Sequence, residues 1–138
     1  MGEHDHADPD HAGAIHHLEL YASDIDASLP FWDWLLGELG YEPKNDWSGG
    51  RSWINGPTYV VLVDADSEQE FDRNAAGLNH VAFHAASRGQ VDELSATTRE
   101  RDDASLLHEE QHPYAGGYYA LYCECPEGVK VEVVGPEE

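Results

Sequence analysis

Two histidines, His17 and His80, are the residues of this chain whose types and positions most directly suggest chemistry. Each lies in a segment of alternating apolar and polar residues, 15–22 and 78–85, and an amphipathic helix pattern follows within a few residues. A histidine at the same point of two copies of one unit is hard to explain by packing alone. The pattern indicates two strands that deliver imidazoles to a shared centre, and a metal ion is the natural occupant of such a centre.

A carboxylate near the end of the chain could complete this centre. Glu132 lies in a third strand-like segment, 128–134, where alternation places it on the same face as Lys130. An ionised carboxylate that faces a core is costly without a counter-charge, and a metal ion supplies one. Two histidines and one carboxylate leave coordination positions open, as a metal needs when it polarises an oxygen or binds a bidentate substrate.

A duplicated architecture is predicted to position these residues. Residues 1–13 show no apolar periodicity and predict a loose, acidic, histidine-containing tail. A single α+β domain is predicted over 14–136, divided into module one (14–64), a polar linker (65–76) and module two (77–136). Both modules show the order strand, helix and three strands, and an internal repeat requires one interpretation for both halves.

Each module has its own helix signals. In module one, Asp26 is predicted to cap a helix that has Pro30 in its first turn and ends at Gly40. In module two, Ser87 and Gln90 form a capping box. The predicted apolar stripes are Leu29, Trp32, Leu36 and Leu39 in the first helix, and Val91, Leu94 and Thr98 in the second. The remaining strands are predicted at 41–46, 51–55, 59–64, 105–109, 118–123 and 129–134.

The charge of the chain is extreme and limits its partners. Among 138 residues, Lys and Arg total 7 against 28 Asp and Glu, a net charge of -21. Binding to nucleic acid or to anionic membranes is therefore not expected. The acidic residues are spread through every segment, which is typical of salt-adapted proteins because high ionic strength screens their repulsion. An acidic surface for a partner protein is the alternative interpretation.

The expected location is the cytoplasm. No apolar run approaches the length needed to span a bilayer, and no signal segment is recognisable at the start. Cys123 and Cys125 are two residues apart in a strand-like run, where they are expected to be buried and reduced rather than redox-active.

Four segments give the chain a resemblance to the vicinal oxygen chelate superfamily, which includes glyoxalase I, extradiol dioxygenases, fosfomycin-inactivating thiol transferases and bleomycin-sequestering proteins. The resemblance covers almost all of 15–136, and it implies paired βαβββ modules that form an open, curved, eight-stranded sheet around a divalent metal ion (Zn, Ni, Mn or Fe). It also implies His17, His80 and Glu132 as the metal ligands, and homodimers are common among such proteins. The segments that carry it are 17–24, 31–41, 77–83 and 126–132.

The chain departs from glyoxalase I in one respect. Glyoxalase I normally takes a fourth protein ligand from the closing strand of its first module, but here that strand, 59–63, offers no metal-binding side chain. Either three residues hold the metal, as in the dioxygenases, or Glu19 on the strand face of His17 substitutes. The departure leaves the general base of a glyoxalase reaction unassigned.

Three residues are candidates for catalysis. Glu132 could move a proton as well as bind the metal. His84 shares its strand face with His80, and it is either an acid–base group or a buried polar residue. His112 opens a glycine-rich turn that either closes over the site or is an ordinary turn. His16, beside His17, is expected to face the other way.

Four residues are candidates for binding a small-molecule substrate. Arg51 and Lys130 are rare cations in this chain and could hold an anionic group. Trp53 could form a wall of an aromatic or apolar pocket, or it could simply pack in the core. Tyr119, which follows the glycine-rich turn, is the fourth candidate.

Three functions are compatible with these residues. The favoured hypothesis is a glyoxalase-like lyase or isomerase in which the metal binds two substrate oxygens and stabilises an enediolate. An extradiol-type dioxygenase with two histidines and one carboxylate is the second. The third is a small-molecule binding protein, such as an antibiotic-sequestering protein, without catalysis.

Overall fold

A computed structural model describes residues 11–137 of the chain, so most of the predicted tail lies outside the described residues. The chain divides into two compact units, and the boundary between Glu68 and Gln69 falls inside the predicted linker. Each unit contains one α-helix and one four-stranded sheet, which confirms the α+β class and the two βαβββ modules. Within residues 11–137, no helix is both long and apolar enough to cross a membrane.

Module one is built from five elements in the predicted order. They are β1 (His17–Ala22), α1 (Ile25–Glu38), β2 (Glu42–Trp47), β3 (Gly50–Asn55) and β4 (Thr58–Asp64). The strand order in the sheet is β1-β4-β3-β2. β1 runs parallel to β4, and the other neighbouring strands are antiparallel. The first and last strands of the module are therefore side by side.

Module two repeats this arrangement. It consists of β5 (His80–His84), α2 (Arg88–Glu100), β6 (Ser105–Leu106), β7 (Ala120–Glu124) and β8 (Lys130–Val134). The strand order is β5-β8-β7-β6, and β5 runs parallel to β8. β6 has two residues instead of the predicted five, because the chain turns at His108 (φ +55°) into a short 3-10 helix. The common topology confirms the internal repeat.

The start of α1 differs from its prediction. The N-cap is Asp24, whose carboxylate accepts a hydrogen bond from the Ala27 N–H at 3.3 Å, so the prediction that Asp26 caps the helix is wrong. Asp26 instead lies in the first turn, where a negative charge interacts favourably with the helix dipole. Pro30 lies in the second turn and not the first. Gly40 follows the helix with φ +95°, a conformation that favours glycine, as predicted.

Each helix packs one buried face into the core of its module, which the strands complete. The apolar face of α1 is offset from the predicted stripe, since Leu29 and Leu39 are only half-buried. In α2 the Ser87 hydroxyl accepts a hydrogen bond from the Gln90 N–H at 3.0 Å, which confirms Ser87 as the cap, while the Gln90 side chain accepts from the Ala86 N–H at 2.7 Å. The buried helix residues are Ser28, Phe31, Trp32, Leu35 and Leu36 in α1, and Val91, Leu94, Ser95 and Thr98 in α2.

Candidate metal and substrate site

His80 is held in one orientation by its neighbour. The His80 Nδ1 atom lies 2.7 Å from the Asn79 Oδ1 atom, and the Asn79 amide nitrogen donates to the Arg73 carbonyl at 3.0 Å. The second contact determines which end of the amide faces the imidazole. Because an amide oxygen can only accept, His80 donates from Nδ1, and in its neutral form it keeps the lone pair on Nε2.

Glu132 lies opposite this lone pair. Its side chain is nearly buried, and Oε2 lies 3.4 Å from His80 Nε2 and 3.6 Å from Lys130 Nζ. Both distances exceed the roughly 2.7–2.9 Å that is usual for a charge-assisted hydrogen bond. A lone pair and a carboxylate that face each other in this way are both acceptors. Their approach is favourable only when a proton or a metal ion lies between or beside them.

The spacing of this pair fits a metal ion. Two ligand atoms bonded to one ion at about 2.1 Å are roughly 3.0–3.4 Å apart in octahedral and tetrahedral geometry. The 3.4 Å between His80 Nε2 and Glu132 Oε2 lies at the tetrahedral end of that range. A metal-binding histidine also commonly donates its other ring N–H to a nearby oxygen, as His80 does to Asn79. Module two therefore contains two donors suited to one divalent ion.

No larger donor cluster is assembled in the described part of the chain. Among residues 11–137, no group of three or more His, Cys, Asp or Glu side chains is placed to hold a metal ion. The predicted participation of His17 stays a prediction.

His17 begins β1, and like His80 it has a contact from the preceding residue at Nδ1. Its Nδ1 lies 3.0 Å from the Nδ1 of His16, and its ring stacks on Tyr59 with centroids 4.7 Å apart. The prediction that His16 faces away is wrong, because β1 starts at His17 and strand alternation does not extend to His16. In both modules the residue before the repeated histidine contacts Nδ1. Nε2 is therefore, in both rings, the nitrogen that this neighbour does not contact.

The strand registers align the two modules residue by residue. They place Val61, a buried residue, at the position that Glu132 holds in module two. The closing strand of module one thus offers no carboxylate at that position. Glu19 lies exposed beside Val61, and its role as a ligand stays a prediction. The pair His17–Tyr59 of module one is equivalent to His80–Lys130 of module two. The pair Glu19–Val61 is likewise equivalent to Ala82–Glu132.

A cavity of about 270 Å³ adjoins His80 and Glu132 within module two. The predicted substrate residue Lys130 lines it, and so do three residues that sequence reasoning missed as site residues: His108, Tyr118 and Tyr122. Ala115 and Gly116 complete the lining. The two candidate metal donors therefore line the same cavity as the ammonium group of Lys130, a second imidazole and two phenols.

Tyr122 fixes one wall of this cavity. It is the cross-strand partner of Glu132, and its hydroxyl accepts a hydrogen bond from the Gly116 N–H at 2.8 Å. A Cβ at Gly116 would lie 2.5 Å from that hydroxyl oxygen, so only glycine allows this approach. Burial raises the pKa of Tyr122, which keeps the phenol protonated at neutral pH. Part of the glycine-rich segment thus lines the cavity, and its role as a lid stays a prediction.

His108 occupies an unusual backbone conformation at the cavity. Its φ of +55° lies in the left-handed region, which is uncommon for residues other than glycine but is adopted by histidine more often than by most side chains. Its ring packs edge-on against Tyr122 with centroids 5.9 Å apart. The sequence gives only a weak signal for this position, because the pattern over 105–109 predicts a continuous strand and not a turn at His108.

The two other histidines predicted to be catalytic lie elsewhere in module two. His84 lies on the same face of β5 as His80, as predicted, but it is exposed, so the alternative of a buried polar residue is wrong, and it does not line the cavity. His112 is also not among the lining residues. Its pKa is lowered, first because burial penalises the charged imidazolium. Their catalytic roles stay predictions without support from this cavity.

Three of the four predicted substrate residues do not line this cavity, and each contacts a carboxylate elsewhere. Trp53 is buried and donates its indole N–H to Asp33 at 2.9 Å, which favours the packing alternative. Arg51 pairs with Asp46 at 3.2 Å. The Tyr119 hydroxyl donates to Asp92 at 2.5 Å, and that hydrogen bond is the main reason why the pKa of Tyr119 is raised. The substrate roles of all three stay predictions.

The cysteines are free and buried, as predicted. Burial raises the pKa of the Cys123 thiol to about 12, and it also raises the pKa of Cys125. Both thiols are therefore protonated and weakly reactive at neutral pH.

Comparisons with known proteins agree with this architecture. The sequence model of the Glyoxalase/Bleomycin resistance protein/Dioxygenase superfamily matches residues 14–133. The uncharacterized protein YqjT of Bacillus subtilis (strain 168) is 45% identical over 127 residues, which cover 88% of this chain and 98% of YqjT.

Solved structures give the same result. The structure of a candidate glyoxalase from Bacillus halodurans has a TM-score of 0.88 and 46% identity, and the match covers 94% of this chain and 100% of that one. Lactoylglutathione lyase from Agrobacterium tumefaciens has a TM-score of 0.60 and 25% identity, with 88% of this chain and 92% of that one covered.

Proposed function

Because the chain belongs to the glyoxalase/bleomycin resistance protein/dioxygenase superfamily, we propose that it is a divalent-metal-dependent lyase or isomerase of the glyoxalase type. Its substrate is a small molecule with two adjacent oxygen atoms that can chelate a metal. The observation that carries the proposal is the pair of facing acceptors, His80 Nε2 and Glu132 Oε2, at 3.4 Å beside a cavity. Held by both atoms, a metal ion would relieve the repulsion of these acceptors and would supply the Lewis acid that such chemistry needs.

The proposed roles of the metal-binding residues follow from their positions. His80 and Glu132 would hold the ion through Nε2 and Oε2, and Asn79 would keep His80 in the required tautomer. His17 is proposed as a further ligand, because the repeat gives it the position of His80 and a comparable contact at Nδ1. When bound, a divalent ion would polarise the substrate oxygens and stabilise negative charge that develops on them.

A proton must also move in an isomerase or lyase reaction, and His108 is the proposed acid–base group. It lines the cavity, whereas the predicted candidates His84 and His112 do not. An imidazole side chain can both accept and donate a proton, which suits it to general acid–base catalysis.

Metal content and oxygen consumption test the proposed function together. The protein purified without chelator is expected to contain zinc, nickel or manganese by elemental analysis. With thiol adducts of 2-oxoaldehydes as substrates, it should show turnover without oxygen uptake. Bound iron with catechol-dependent oxygen uptake would instead identify a dioxygenase. A metal-free protein that holds a tight organic ligand would identify a binding protein and contradict the proposal.

Replacement of Asn79 should weaken metal binding even though Asn79 is not itself a ligand. In Asn79→Leu, His80 loses the acceptor that holds its proton on Nδ1, so metal affinity should fall about 10–100-fold, as for other outer-shell partners. Asn79→Asp keeps an acceptor at the same position and should retain most of the affinity. Titration calorimetry with Mn²⁺ measures both variants, and equal affinity of Asn79→Leu and the unmodified protein would refute this role.

A further inference from the structure

Lys130 stands out in the cavity because cations are rare in this chain. It is one of two lysines in a protein with a net charge of -21. Its side chain is only 19% exposed, and its ammonium group lies 5.5 Å from the centroid of the Tyr122 ring. Removing an ammonium group from water is costly unless a negative charge or another favourable contact compensates. Among residues 11–137, the carboxylate within ion-pair distance of this ammonium is that of Glu132, at 3.6 Å.

The neighbouring acidic residue of β7 does not compensate Lys130. Glu124 is the cross-strand partner of Lys130, so both side chains emerge on the same face of the sheet. The carboxylate of Glu124 pairs with Arg73, which also donates to the Gly128 carbonyl at 3.2 Å. That ion pair leaves Glu132 as the carboxylate that both His80 and Lys130 face.

The charges around the cavity then determine what it can hold. With neutral histidines, the lining contains one positive charge, on Lys130, and one negative charge, on Glu132. If the proposed function holds, Glu132 binds a divalent ion. The site then gains two positive charges, and Lys130 loses Glu132 as its counter-ion. A neutral substrate would leave this excess uncompensated in a partly desolvated cavity, whereas an anion would balance it.

We propose that the site takes a small anionic chelator that carries a carboxylate, and that Lys130 binds this carboxylate. The class includes 2-oxo and 2-hydroxy acids. Lys130 thus pairs with Glu132 in the metal-free protein and turns to the ligand once Glu132 binds the ion. This inference rests on the proposed function, because it requires that Glu132 is a metal ligand.

Oxalate and its uncharged isostere oxamide test the inference on the full-length, Mn²⁺-loaded protein by titration calorimetry. Oxalate is expected to bind and oxamide to bind far more weakly. In Lys130→Gln, oxalate affinity should fall at least about tenfold, since a hydrogen bond to a charged group is lost. Lys130→Arg should keep most of the affinity, and Arg99→Gln, which removes an exposed cation on α2, should change nothing. Mn²⁺ should bind Lys130→Gln as tightly as the unmodified protein or more tightly, because a competitor for Glu132 is gone.

The outcomes separate the two proposals. Equal oxalate affinity in the unmodified protein and Lys130→Gln overturns the role of Lys130, while Mn²⁺ binding still supports the metal site. Equal affinity of the unmodified protein for oxalate and oxamide overturns the anionic class without any variant. An unmodified protein that binds no Mn²⁺ overturns the proposed function, and this inference with it.

Discussion

Glu132→Gln is expected to remove tight binding of divalent metal ions and, with it, catalytic turnover. The amide keeps the size of the side chain but replaces a charged metal ligand with a weak neutral one. The loss of Mn²⁺ affinity should exceed about 100-fold, because outer-shell partners alone are worth about 10–100-fold. Titration calorimetry measures the affinity, and elemental analysis of the purified variant should find little metal.

Glu93→Gln is the matched control for this variant. Glu93 is exposed on α2, so its replacement makes the same chemical change away from the cavity. It should leave metal affinity unchanged. A thermal melt of both variants separates loss of the metal site from loss of the fold, since Glu132→Gln also removes the ion-pair partner of Lys130. Unchanged metal affinity in folded Glu132→Gln would refute the assignment of Glu132.

The melting temperature of the protein is expected to rise strongly with salt. The 28 acidic and 7 basic residues give the folded chain a net charge of -21, and the repulsion among them is weakly screened in dilute buffer. The Debye length shortens from about 30 Å at 0.01 M to about 3 Å at 1 M ionic strength. Stabilisation by a few kcal/mol, or an increase of about 10 °C or more, is expected between 10 mM and 2 M KCl.

Sucrose at matched osmolality controls for general solvent effects, because it stabilises folded proteins without screening charge. A calorimetric scan at each KCl concentration gives the comparison directly. The same melting temperature in dilute buffer and in molar KCl would contradict salt adaptation. The acidic residues would then be better explained as a surface for a partner protein.

The duplicated fold was predictable because it leaves periodic signals in the sequence. Alternating strands recur around His17 and His80, and the cap at Ser87 is a local pattern that depends on neighbouring residues alone. The face of Glu132 followed from strand alternation in the same way. The resemblance then connected these segments to a superfamily, and the sequence and structure comparisons confirmed that connection.

The walls of the cavity were harder to predict, because they depend on contacts between distant segments. Tyr122 faces Glu132 through the register of β7 with β8, and counting outward from the turn between these strands would have identified it. His108 lines the cavity with its own backbone in the left-handed conformation, and strand periodicity cannot predict that conformation. For Trp53, alternation gives the side of the sheet but not whether that side is covered, so the sequence could not decide between a pocket wall and the core in which Trp53 is buried.

The contact of Asn79 with His80 could have been suspected from the sequence. A polar residue precedes the repeated histidine in both modules, His16 in one and Asn79 in the other. Only coordinates show that each contacts Nδ1 of its neighbour. Sequence patterns identify which residues share a strand, whereas tautomers depend on hydrogen bonds.

Anomalous X-ray scattering from crystals of the zinc-loaded protein tests the metal site most directly. The predicted result is one strong zinc peak within about 2.0–2.2 Å of both His80 Nε2 and Glu132 Oε2. Data collected on both sides of the zinc absorption edge would identify the element. A fully loaded crystal with zinc bound only elsewhere, while His80 and Glu132 contact each other through a proton, would contradict the proposed metal site.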